Sequence, residues 1–152
     1  MRSMSVGSFL VDTNVLVYAY DRAEPGKQIR AHEILNNLVL AGAGVLTTQV
    51  LGEFFWVMTR KLRQTFTARQ AFDRVEKYLE SWRVLAVTPE ILLEAGRGAA
   101  EFNMPFYDAQ IWASAKLNQI PMVLSEDFSN GSRIEGVRFL NPFATSIPII
   151  EG

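Results

Sequence analysis

Short apolar runs separated by longer amphipathic stretches restrict this chain more than any other feature. "SFLVD" near the start is a Leu/Val run ending in an acid, too short for a helix, and reads as a buried strand. "GVLTT", "VLAVT", "PMVLS" and "VRFL" read the same way further along. Between them lie helix signals. "TNVLVYAY" starts a helix that "DRAEPG" closes with turn chemistry. From Lys27 to about Ala41 the positions of Ile29, Ile34, Leu35, Leu38 and Val39 suit an amphipathic helix, stopped by Gly42 and Gly44. Gln49 to Leu62 reads as another helix. Thr67 and Gln70 form a capping-box pair ahead of Ala68, Ala71, Phe72, Val75, Tyr78, Leu79 and Trp82, which follow three-then-four spacing. Pro89 opens a further helix, "NMPF" marks a turn, and Tyr107 to Leu117 is helical again. Continuous apolar strands alternating with helices predict an α/β fold, a mostly parallel sheet covered on both faces.

The chain has 152 residues and no linker, repeat or composition shift, so one domain is expected over 1–152, its core at about 8–143 and a C-terminal tail at 144–152. Half the residues are apolar (49%), which excludes a disordered chain. Lys+Arg (15) and Asp+Glu (16) nearly cancel, which argues against a strongly basic, non-specific nucleic-acid binder but leaves local basic patches open. Without cysteine there is no disulfide, thiolate metal site or cysteine nucleophile. The N-terminal segment "MRSMSVGSFLVDTNVLVYAYD" has one arginine ahead of an apolar stretch, but Asp12 and Asn14 interrupt it. No uncharged run approaches the roughly 20 residues that span a bilayer. A soluble, cytoplasmic protein is expected.

In an open parallel sheet, ligands sit beyond the carboxyl ends of the strands. Asp12 follows Phe9-Leu10-Val11 directly, and Asp127 stands just past "VLSE". Glu53 lies in "QVLGEFFWVM" and Asp108 in "PFYDAQIWASA", both among apolar neighbours unsuited to a solvated charge. Each acid has an ordinary reading alone. Asp12 or Asp108 can favour a helix N-terminus, Glu53 can reach solvent at its helix edge, and Asp127 can be a turn residue in "SEDFSNGS". Together they can converge on one cleft. Four carboxylates there would repel one another unless cations neutralised them, and all-oxygen ligation suits Mg²⁺ or Mn²⁺ rather than zinc.

Four motifs, "VDTNVL", "GEFFWV", "YDAQIWASA" and "VLSEDF", in this order and running on to "FLNPF", resemble the PIN-domain ribonucleases, and among these the VapC-type toxins of bacterial toxin–antitoxin pairs. The resemblance implies a three-layer α/β/α PIN-like domain with a five-stranded, mostly parallel sheet in the order 3-2-1-4-5. It implies an acidic site of Asp12, Glu53, Asp108 and Asp127, with Asn14 orienting it and Ser125 positioning the last acid or a phosphate oxygen. Glu126 competes with Asp127 for that last place. Asp12 and Asp108 would ligate the metal directly, Glu53 and Asp127 directly or through water. The implied reaction is metal-assisted hydrolysis of an RNA phosphodiester, leaving 5′-phosphate and 3′-hydroxyl ends with no covalent enzyme intermediate. A homodimer and an antitoxin that occludes the cleft are implied partners.

Other features say less. Arg60, Lys61 and Arg63 form a basic run that suits a helix C-terminus or RNA phosphates. His32 reads as a surface residue, and Trp56, Trp82 and Trp112 as core or interface rather than base-stacking platforms. Phe54, Phe55 and Trp56 offer more apolar surface than one helix face can bury, and the tail "SIPIIEG" is apolar enough to dock on the domain or a partner. A phosphatase of the haloacid-dehalogenase type also begins with a strand ending in Asp, but needs a second Asp where this chain has Asn14. The remaining alternatives are an RNA-processing PIN nuclease that is not a toxin, and a PIN-like binding module without catalysis.

Overall fold

The computed structural model describes residues 7–62 and 66–147. Elements alternate as the apolar pattern requires: β1 (Phe9–Val11), α1 (Thr13–Tyr18), α2 (Pro25–Ala41), β2 (Gly44–Thr47), α3 (Thr48–Arg60), α4 (Ala68–Ser81), β3 (Arg83–Leu85), α5 (Pro89–Phe102), α6 (Phe106–Leu117), β4 (Met122–Leu124), β5 (Arg133–Ile134) and β6 (Val137–Leu140). The capping box is formed: Thr67 Oγ1 accepts from the Gln70 amide at 3.1 Å, and Gln70 Oε1 accepts from the Thr67 amide at 2.8 Å. Gly42 ends α2 at φ 63°, a left-handed position where a Cβ would be strained. The third strand begins at Arg83, one residue before the "VLAVT" run.

The sheet runs β3-β2-β1-β4-β6-β5, with every pair parallel except β5–β6. It therefore has six strands where five were expected. The extra strand is the two-residue edge Arg133–Ile134, folded back on β6 through Glu135 (φ 47°) and Gly136 (φ 87°). Two positive φ values in succession match the tight hairpin turn that follows strand twist. Two residues are too few for an alternation signal, which is why no strand was expected there.

β1 is the most buried strand, with Phe9, Leu10 and Val11 all fully enclosed. The chain leaves it towards β2 and β3 on one side and returns to β4 on the other, so a topological switch lies beside its carboxyl end. α6 is buried nearly all round, from Ala109 to Ala115, and Trp112 at its centre donates Nε1–H to the Ile134 carbonyl at 3.0 Å. On α3, Phe54 is buried and packs edge-on against Tyr78, whereas Trp56 is 55% exposed. Trp112 is thus a core residue and Trp82 is half-buried, whereas Trp56 is not in the core. On α4 only Ala71 is fully buried, while Phe72 and Leu79 face outward, so its apolar stripe is wider than the face it packs. His32 is exposed. Arg63 and residues 148–152 lie outside the described residues. Among those described, no helix is long and apolar enough to cross a membrane.

Candidate active site

Strand register builds the first half of the site. Val11 pairs with Leu124, and the Asp12 amide donates to the Leu124 carbonyl at 2.9 Å, so the next residues, Asp12 and Ser125, must meet. Ser125, fully buried, donates its hydroxyl to Asp12 Oδ2 at 2.7 Å. The other carboxylate oxygen of Asp12 accepts from the Thr13 amide at 2.7 Å, because Asp12 is also the N-cap of α1. Cap and site residue are one side chain.

Asn14, in the first turn of α1, links this pair to the last acid. Its amide Nδ2 donates to Asp127 Oδ2 at 3.1 Å and to Ser125 Oγ at 3.2 Å, while its Oδ1 accepts from the Glu126 amide at 3.4 Å. Ser125 Oγ also accepts from the Asp127 amide at 3.0 Å. An amide at position 14 both donates and accepts, which a carboxylate there could not do.

The two adjacent acids, left open by the sequence, face different partners. Glu126 Oε2 accepts from Lys27 Nζ at 2.8 Å, and its Oε1 accepts from the Tyr18 hydroxyl. Lys27 also donates to Tyr18 Oη at 3.2 Å and sits 4.7 Å from the centre of that ring. Burial pushes the Glu126 carboxyl up, but the Lys27 and Tyr18 hydrogen bonds outweigh it and hold it below its usual range. Asp127, exposed, is the one that turns to Asn14. Lys27 occupies the first turn of α2, where the helix dipole disfavours a cation, so its place follows from Glu126 rather than from helix preference.

Glu53 and Asp108 complete the set from the helices. α3 opens with Thr47 capping the Val50 amide at 3.1 Å and turns Glu53 to accept from the Thr13 hydroxyl at 3.0 Å. Asp108 lies in the first turn of α6, half-buried. Asp12, Glu53, Asp108 and Asp127 all line a single cavity of about 860 Å³. Asn14, Glu126, Tyr18 and Lys61 line it too. Ser125 lies beneath, reaching it through Asp12 and Asn14.

Electrostatics in the cavity are unfavourable as the protein stands. Burial pushes the Asp12 carboxyl up to about 6 against the Ser125 and Thr13 hydrogen bonds, and the Asp127 and Glu53 charges push the same way. Burial likewise raises Asp108, helped by Asp127 and Glu53. Among the described residues none of the four acids has a Lys or Arg ion-pair partner. Nor do any three of these side chains close up enough to enclose a metal ion by themselves. The donor set still fits a hard divalent ion of the Mg²⁺ kind, which is held by one or two carboxylates and keeps several waters.

Sequence reasoning missed Thr13, Tyr18 and Lys27. Thr13 sits within the "VDTN" motif and could have been singled out. Tyr18 and Lys27 meet Glu126 across about a hundred residues of chain, with no local signal.

The family model for the PIN domain matches residues 9–129. No curated protein sequence matches the chain. Among solved structures, a toxin–antitoxin complex from Klebsiella pneumoniae superposes with a TM-score of 0.62 at 19% identity, over 89% of this chain and 98% of that one. DNA-bound VapBC from Salmonella typhimurium does so at 0.62 and 19%, over 88% and 97%. The sarcin–ricin-loop-cleaving toxin VapC20 from Mycobacterium tuberculosis gives 0.57 at 18% identity, over 76% and 87%. At these identities the structures share the fold, while the family match spans most of the chain and includes all four carboxylates. The chain belongs to the PIN domain family.

Proposed function

We propose that this protein is a metal-dependent endoribonuclease, acting in the cytoplasm as the toxin of a toxin–antitoxin pair. The observation that carries the reading is the convergence of Asp12, Glu53, Asp108 and Asp127 on one cavity within a PIN domain. Asp12 and Asp108 would hold a Mg²⁺ or Mn²⁺ ion directly, with Glu53 and Asp127 direct or through water. A bound ion supplies positive charge that acidifies water and stabilises a leaving oxygen.

The chain's own residues supply the rest. Ser125 and Thr13 fix both oxygens of Asp12 before any ligand arrives, so little reorganisation is needed. Thr13 orients Glu53, and Asn14 draws Asp127 towards Asp12 with a neutral donor between two anions. Lys61 can meet a phosphate at the cavity wall. Support for the toxin role comes from the solved toxin–antitoxin complexes that share the fold; the antitoxin partner and a homodimer belong to the same proposal.

The test is cleavage of single-stranded RNA by purified protein. Activity is expected with Mn²⁺ or Mg²⁺ and should vanish with EDTA; expression should arrest growth, and Asp12→Ala should relieve the arrest. Cleavage that survives EDTA removes the metal mechanism, and normal growth on expression removes the toxin role.

Glu126 gives a subtler expectation. Lys27→Met removes one of the two donors, the cationic one, that hold Glu126 in the loop carrying Asp127. Cleavage should fall roughly 10-fold, as for loss of a group that orients a ligating side chain, mostly in kcat. Lys27→Arg, which can still pair with Glu126, should recover most of it. An unchanged kcat in Lys27→Met would show that the loop holds without this anchor.

A further inference from the structure

The cavity has an aromatic side that the four carboxylates do not explain. Going along α3, Gln49, Glu53, Trp56, Val57 and Lys61 all face the cavity, at the three-and-four spacing of one helix face. Trp56 therefore stands one turn from Glu53, and on the other helix Tyr107 stands beside Asp108. Both rings line the cavity, and they are 55% and 63% exposed. The Trp56 indole is also braced: the Arg60 guanidinium lies over the ring, 5.2 Å from its centre, one turn further on. Tyr107 packs edge-on against Phe106 at 5.4 Å. Neither ring belongs to the core.

A flat, half-exposed ring next to carboxylates and a lysine suits one kind of ligand. Every nucleobase has a π-face, and base-on-aromatic stacking works without sequence readout. The base must first be free of its own stack, so such a ring selects single-stranded over paired nucleic acid. We infer that Trp56 is a stacking platform for an unpaired base of the RNA, with Tyr107 as a second wall, next to a phosphodiester held at the acids. This deepens the nuclease reading and rests on it.

Two measurements separate the two ideas. Trp112 is buried and Trp82 half-buried, so quenching by a ligand in the cavity reports on Trp56. Mixed-sequence single-stranded oligoribonucleotide, added in EDTA to prevent cleavage, should quench tryptophan emission; the same RNA as a blunt duplex should not. Trp56→Phe should abolish the quench. In steady-state cleavage, Trp56→Ala should raise KM roughly 10-fold with kcat little changed, and Trp56→Phe should restore KM because it keeps a ring. An unchanged KM in Trp56→Ala, with wild-type cleavage intact, overturns the platform and leaves the nuclease standing. Quenching by single strands without any cleavage supports the platform and overturns the nuclease. Equal quenching by single strand and duplex overturns the single-strand preference.

Discussion

Asp108→Asn is expected to lower the rate of RNA cleavage by at least about 1,000-fold, near 4 kcal/mol of transition-state stabilisation, while the protein stays folded. The substitution is nearly isosteric and removes only charge. Among the described residues the Asp108 side chain makes no hydrogen bond or ion pair, so asparagine leaves no partner unsatisfied. It also relieves repulsion from Asp127 and Glu53, so the melting temperature should hold or rise slightly. Multiple-turnover kinetics with Mn²⁺, set beside a thermal melt, read both effects. Equal cleavage by wild type and variant would remove Asp108 from the proposed site.

Asp12→Asn should separate activity from stability more sharply. Its activity loss should match that of Asp108→Asn, but its stability should rise further, and with pH. Burial pushes the Asp12 carboxyl up to about 6 in the folded protein, from an ordinary 3.8. Between those values the folded protein keeps a proton that the unfolded chain releases. Stability from this group is therefore complete below about pH 4 and is lost as pH rises through 6. At neutral pH the charged form costs at most about 3 kcal/mol, offset in part by the acceptor that asparagine gives up to Ser125 or Thr13. A net gain of roughly 3–6 °C in Tm at pH 7–8, and little at pH 4, is the expected result for the metal-free variant. Mg²⁺ should raise the Tm of the wild type and not of the variant. A variant less stable than wild type at every pH would mean that the cap on α1 outweighs the buried charge.

Local chemistry was readable in the sequence, and distant geometry was not. The Thr67–Gln70 box, the Gly42 stop and the Pro89 start are decided by residues within a turn of one another. The alternation of strands and helices fixes the parallel core for the same reason. The meeting of Asp12 and Ser125 depends on the register of two strands separated by most of the chain. Sequence order alone could not choose between Glu126 and Asp127, because adjacent loop residues have no fixed periodicity. Lys27 and Tyr18 settle where Glu126 points, and neither carries a local sign of that task. That three neighbouring aromatics cannot all share one helix face was legible, but spacing does not say that Trp56 is the one left outside.

The pairing of β1 with β4 also sets when the site can exist during synthesis. Asp12 is made 113 residues before Ser125, and the strand that brings Ser125 and Asp127 alongside is equally late. Until then β1 has no neighbour on that side, and the acids have nothing to hold them together. A nascent chain therefore carries an incomplete acidic cluster until β4 has been made. Any chain broken off before β4 would lack both the site and half of its central strand pairing. For a proposed ribonuclease, that delay is built into the order of the strands.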